Sequence, residues 1–165
     1  MPILETHTQH WLQEADCQAC AKAIAGQWLA ISPPPDAYLE LHGDLGAGKT
    51  TLTRHLLQAL GVRGRIKSPS YTVLESYAIE ATDRESHAQH FDFYRFNDPH
   101  EWEDAGFRDA FAAPGLKIVE WPEKAAGFLP EPDLRIYLHM NEDASRSVRL
   151  EAASPLGQRL LKGQA

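Results

Sequence analysis

Cysteine is scarce in this chain: Cys17 and Cys20 are the only two. A single CxxC without a second pair excludes a zinc ribbon on ligand count unless histidines join it. A redox pair calls for a strand immediately before it. These cysteines instead recur with Ala21, Ile24 and Trp28 at helical spacing, and so read as one buried helix face. Long apolar runs are missing too. No stretch approaches the roughly 18 apolar residues of a membrane span. The opening "MPILETHTQHW" has no basic region followed by an apolar one, so the expected location is cytoplasmic. Positive charge is in deficit, with 16 Lys plus Arg against 23 Asp plus Glu and a formal net charge of -7. Such a chain does not grip a nucleic-acid backbone by bulk charge. Arg63, Arg65 and Lys67 make a small basic patch, but no aromatic platform of RNA-module type accompanies it.

Repeats, low-complexity tracts and linkers are also lacking, and 165 residues at 43% hydrophobic content are enough to bury a core without staples. The expectation is one domain over residues 1–165, with a C-terminal tail from about 154. Helix and strand patterns alternate along it. Asp16 to Leu29 reads as an amphipathic helix ended by "SPPPD", since consecutive prolines cannot continue the helical ladder. Tyr38 to His42 reads as a strand. Lys49 to Leu60 reads as a helix with Leu52, Leu56 and Leu60 on one face and Gly61 as its stop. Ile66 to Ile79 is expected to hold one or two strands broken near Pro69, and "EATDRESH" a hairpin-like connection. Ala88 to Phe96 alternates as a strand, Trp102 to Phe111 reads as a helix, and Lys117 to Trp121 as a short strand. Leu134 to Met140 and Val148 to Ala152 read as a closing antiparallel pair.

What is present is a phosphate-loop signature. Gly43, Gly48, Lys49 and Thr50 in "GDLGAGKTT" fit G-x-x-x-x-G-K-[ST], and they follow a predicted strand and open a predicted helix, as the mechanism requires. Glycines let the backbone curl so that N–H groups point inward, while first-turn helix amides, lacking intrahelical partners, favour an anion. Lys49 is expected on the terminal phosphates and the Thr50 hydroxyl on Mg²⁺. A second carboxylate belongs at the C-terminal end of a neighbouring strand. Glu120 closes the apolar strand "LKIVE". In "HFDFYRF", period two places Phe91 and Phe93 on one face and His90, Asp92 and Tyr94 on the other. In "KSPSYTVLESY" the hydroxyls of Ser68 and Ser70 stand where a nucleotide-sensing segment commonly lies. No N-K-x-D guanine-reading motif is present, which leans toward adenine.

In this order, "GDLGAGKTT", "SPSYTVLESY", "HFDFYRF" and "VEWPE" resemble the TsaE family, the ATPase component of the bacterial machinery that makes threonylcarbamoyladenosine at tRNA position 37. The likeness runs from the N-terminal helix to about Leu150. It implies an α/β, P-loop NTPase-like three-layer domain with a mixed parallel and antiparallel sheet. It implies ATP and Mg²⁺ as ligands, and hydrolysis coupled to TsaB and TsaD homologues, with tRNA met only indirectly within the assembly. Carried across, Gly43, Asp44, Leu45, Gly46, Ala47, Gly48, Lys49, Thr50 and Thr51 form the phosphate cradle. Thr50 and Glu120 hold magnesium, and Asp92, Glu120 and Lys49 serve hydrolysis or switching. Trp121 matches the family's Glu-Trp pair. Ser70 stands where the family usually has threonine, followed by the aromatic Tyr71, Cys17 falls where a nucleotide-contacting threonine is usual, and Arg146 falls where the family has a late arginine near the adenine. The competing class is a small-molecule kinase, which also joins a phosphate loop to a compact α/β core but usually needs a basic lid. Here the arginines are scattered.

Overall fold

The computed structural model describes residues 2–66, 69, 72–80, 86–104 and 106–164, so Ser68, Ser70 and Tyr71 lie outside the described residues. Strand β1 (Glu5–Trp11) leads into helix α1 (Glu14–Leu29), then β2 (Ala37–His42) and α2 (Lys49–Ala59). A hairpin, β3 (Leu74–Ile79) with β4 (Ser86–Asp92), precedes two short helices, α3 (Glu101–Asp104) and α4 (Phe107–Ala112). Strand β5 (Leu116–Glu120), a 3-10 turn (Pro122–Ala125), strands β6 (Leu134–Met140) and β7 (Arg146–Ala152), and helix α5 (Pro155–Leu160) complete the order.

Seven strands form one sheet in the order β1-β7-β6-β2-β5-β4-β3. The centre, β6-β2-β5-β4, is parallel, and the flanks β1-β7-β6 and β4-β3 are antiparallel. Burial explains the centre: every residue of β5 is buried, as are the first five of β2, which suits strands covered on both faces. Alternation then sorts their side chains. Leu39, Leu41 and Ile118 face a core built with Cys20, Ile24 and Trp28 of α1 and Leu52 and Leu56 of α2. Tyr38 and Val119 face the opposite way, into an aromatic core with Phe91, Phe93 and Trp102. Phe93 meets Trp102 edge-on at 5.7 Å between ring centroids. Helices on both sheet faces make this a three-layer α/β fold of P-loop NTPase type.

The two cysteines are free and buried on α1, as the helical spacing requires. Several boundaries differ from expectation. Strand β1 is an addition: its sequence ETHTQHW is polar almost throughout, so it carries no apolar alternation to announce it. Gly106, at φ 72, divides the helix expected over residues 102–111 into α3 and α4. Strand β4 stops at Asp92, because the chain turns there and the Phe96 amide donates to the Phe93 carbonyl at 2.9 Å. The segment expected as a tail holds α5, capped by the Ser154 hydroxyl, which accepts from the Gly157 amide at 3.0 Å. Leu160 and Leu161 are buried there in the core beneath α1. Among the described residues no helix is long and apolar enough to cross a membrane.

Candidate nucleotide site

The carboxyl ends of β2, β4 and β5 converge on one edge of the sheet, where open α/β folds bind ligands. The loop after β2 turns on Gly43 (φ 151), Gly46 (φ 81) and Gly48 (φ 111), conformations that L side chains rarely adopt. Gly43 is fixed by space as well, since a Cβ there would stand 2.5 Å from the Leu138 carbonyl oxygen. Gly48 caps α2, whose first-turn amides face the loop. Lys49 is 5% exposed. Its ammonium donates to the carbonyl oxygens of Gly43 and, at 3.2 Å, Asp44, and lies 4.0 Å from the Trp121 ring centroid. Burial holds its pKa below the ordinary lysine value, opposed by Glu120, Glu123 and Asp92.

Thr50 and Glu120, 70 residues apart in sequence, meet here. The Thr50 hydroxyl lies 3.2 Å from Glu120 Oε1 and 3.4 Å from Oε2. Glu120 is 2% exposed, and its Oε2 is bonded to His90 Nε2 at 2.6 Å. A buried carboxylate needs such donors. Asp92 is register partner to Glu120 across β4 and β5. Burial pushes its carboxyl above the usual range, opposed by the Tyr94 amide, which donates to Oδ1 at 3.0 Å. A cleft of about 460 Å³ joins these groups, lined by Asp44, Leu45, Gly46, Lys49, Thr50 and Asp92 and bounded by Arg95, Glu120 and Trp121. Trp121 itself holds a left-handed backbone (φ 57) and packs on Tyr94 at 5.0 Å.

Gly48, Thr51 and Arg146 border both this cleft and a second cavity of about 150 Å³, which Trp11, Cys17 and Ala47 help enclose. Arg146 is tied to the loop: its Nε donates to the Ala47 carbonyl at 2.9 Å. Burial raises the Cys17 thiol to about 12, so it offers a neutral surface. The residues that could hold a triphosphate are the loop amides with Lys49, those that could hold a small hard cation are Thr50 and Glu120, and the adjoining cavity, of mixed polar and apolar lining, could take a flat ring.

The structure brings the loop, Asp92 and Glu120 together at the cleft, with Cys17 in the adjoining cavity and Arg146 bordering both, while Ser70 lies outside the described residues. The end of β1, where Trp11, Leu12 and Gln13 wall the second cavity, is not among the expected site residues, and only the β-branched Thr6 and Thr8 hint at that strand. Nor is the bond between His90 and Glu120 among the expectations.

A family model described as "Threonylcarbamoyl adenosine biosynthesis protein TsaE" matches residues 12–148. The tRNA threonylcarbamoyladenosine biosynthesis protein TsaE of Haemophilus influenzae is 39% identical over 158 residues, covering 96% of this chain and 97% of that one. Its namesake in Bacillus subtilis is 36% identical over 131 residues, covering 79% and 78%. Among solved structures, Bacillus subtilis YdiB superposes with a TM-score of 0.75 at 26% identity, covering 99% of this chain and 97% of its own. With a family model spanning most of its length and a relative this similar end to end, the chain belongs to the TsaE family.

Proposed function

We propose that this protein binds ATP with Mg²⁺ on the loop 43–51 and hydrolyses it in support of tRNA N6-threonylcarbamoyladenosine formation, acting with TsaB and TsaD homologues. The observation that carries the reading is the meeting of Thr50 Oγ1 with the Glu120 carboxylate, at 3.2 and 3.4 Å, directly beside Lys49. Two oxygen donors brought together from a helix start and a distant strand end have the chemistry of a hard-cation site. The relatives' shared name supports the pathway.

The loop amides and the Lys49 ammonium hold the β and γ phosphates, exchanging the Gly43 and Asp44 carbonyl contacts for phosphate oxygens. Thr50 and Glu120 hold the magnesium. When bound, that ion neutralises charge developing on the β and γ oxygens. Asp92, fixed by the Tyr94 amide, orients the attacking water directly or through a second one, and its raised pKa suits it to accept a proton. Arg146 braces the loop through Ala47 and walls the base cavity with Cys17 and Trp11.

Arg146, which lines the cleft, is committed to the Ala47 carbonyl of the loop. The reading expects hydrolysis by the chain alone to be slow and to rise when the partners join. The test is phosphate release from ATP by the wild type and Lys49→Ala, each alone and with TsaB, TsaD and tRNA. The reading expects release that needs Lys49 and is raised by the partners. Release unaffected by Lys49→Ala would overturn it, and partner-independent release would remove the coupling.

A further inference from the structure

Glu120 is gripped from two sides. Thr50 approaches from the cleft, and His90, 1% exposed on β4, approaches from inside the protein with Nε2 at 2.6 Å from Oε2. His90 does not line the cleft. Its other ring nitrogen, Nδ1, is buried and has no hydrogen-bond partner among the described residues. An imidazole with a carboxylate on one nitrogen and no acceptor on the other is best satisfied with its proton on Nε2. A bare buried lone pair costs less than a buried N–H without an acceptor.

We propose that His90 is a positioning residue that aims Glu120 at Thr50: it donates Nε2–H to Oε2 and so leaves Oε1 directed at the Thr50 hydroxyl. The inference rests on the reading of Thr50 and Glu120 as the magnesium holders. A glutamate has three side-chain torsions, and the surrounding groups include the Lys49 ammonium, toward which an untethered carboxylate would swing. Outer partners that orient a ligating group are worth about 10–100-fold in metal affinity. Because His90 reaches the cleft only through Glu120, its removal should weaken metal-dependent binding and spare the binding that needs no metal.

Two measurements test this. The first needs no nucleotide: long-range ¹H–¹⁵N correlation spectra of histidine-labelled protein should show His90 with its proton on Nε2, and the Nδ1–H form would overturn the proposal. The second titrates a fluorescent ATP analogue in EDTA and in Mg²⁺. His90→Leu should keep the EDTA affinity within about twofold and lose about 10–100-fold of the Mg²⁺-dependent gain. His90→Gln, whose amide nitrogen reaches the Nε2 position, should recover most of that gain. His90→Asn, whose amide reaches only the Nδ1 position, should not, and it serves in place of His90→Leu if that variant does not fold. Equal Mg²⁺ dependence in the wild type, His90→Asn and His90→Leu contradicts the proposal. A wild type with no Mg²⁺-dependent gain at all contradicts instead the reading of Thr50 and Glu120, leaving the spectrum to judge the tautomer.

Discussion

Asp92 and Glu120 end two adjacent parallel strands in the same register, so the last residue of β4 stands beside the last residue of β5 at the mouth of the cleft. Their surroundings separate their roles. Glu120 is buried between the His90 ring and the Thr50 hydroxyl, whereas Asp92 is half-buried and held by the Tyr94 amide. Asp92→Asn should therefore lower phosphate release by about 100-fold or more while leaving affinity for the ATP analogue within about threefold. Glu120→Gln should lower release similarly and also raise the Mg²⁺ concentration needed. Steady-state phosphate release across a Mg²⁺ series distinguishes the two, and identical profiles would deny the division of labour.

Thr50 should tolerate serine and not valine. Valine has the shape of threonine without the hydroxyl that faces Glu120. Thr50→Val should lose about 10-fold or more in Mg²⁺-dependent nucleotide affinity, and Thr50→Ser should stay near the wild type. Titration of the analogue with and without EDTA reads the difference.

Gly43 should be the least replaceable glycine of the loop. A Cβ there meets the Leu138 carbonyl oxygen at 2.5 Å and the Ala47 Cβ at 3.0 Å, whereas a Cβ at Gly46 meets nothing within 4 Å. Gly43→Ala should cost about 1–3 kcal/mol of stability, and Gly46→Ala about 1 kcal/mol for its positive φ alone. Thermal unfolding of the two variants gives the order.

Alkaline pH should destabilise the fold. Burial raises Cys17 and Cys20 from 9.0 to about 12 and pushes Tyr38 upward as well, helped by the neighbouring Glu40. Above pH 9 the unfolded chain releases thiol protons that the native protein retains, so the native state binds more protons and stability declines between pH 9 and pH 12. Urea midpoints measured through this window should fall, and Cys17→Ala with Cys20→Ala should flatten the fall. Neither thiol should react with a maleimide in the native protein at pH 8.

Much of this was legible in the sequence because the signals were local. The loop needs glycines and a lysine at fixed spacing, and β2 and β5 are short apolar runs that only a doubly covered strand explains. Glu120 was legible because it closes an apolar run, whereas Asp92 stood inside an alternating run expected to continue to Phe96, and its place at the end of β4 comes from the turn that stops the strand there. Strand β1 was hidden because its side chains line an edge and need not be apolar. Helix α5 was hidden because six residues give too few turns for a periodic pattern, and its place is set by Leu160 and Leu161 packing into the core under α1. The alternation of "HFDFYRF" places His90 on the face of Asp92 and Tyr94 and says nothing of its partner. Its bond to Glu120 depends on β4 lying next to β5, a pairing that no local pattern in the sequence specifies.

The most direct measurement is a crystal structure with a non-hydrolysable ATP analogue and Mn²⁺ in place of Mg²⁺, read from the anomalous signal of the metal. The account predicts the triphosphate along residues 43–51, with a single metal peak about 2 Å from Thr50 Oγ1 and within direct or one-water reach of Glu120. A triphosphate bound elsewhere, or a metal peak far from both side chains, would contradict it.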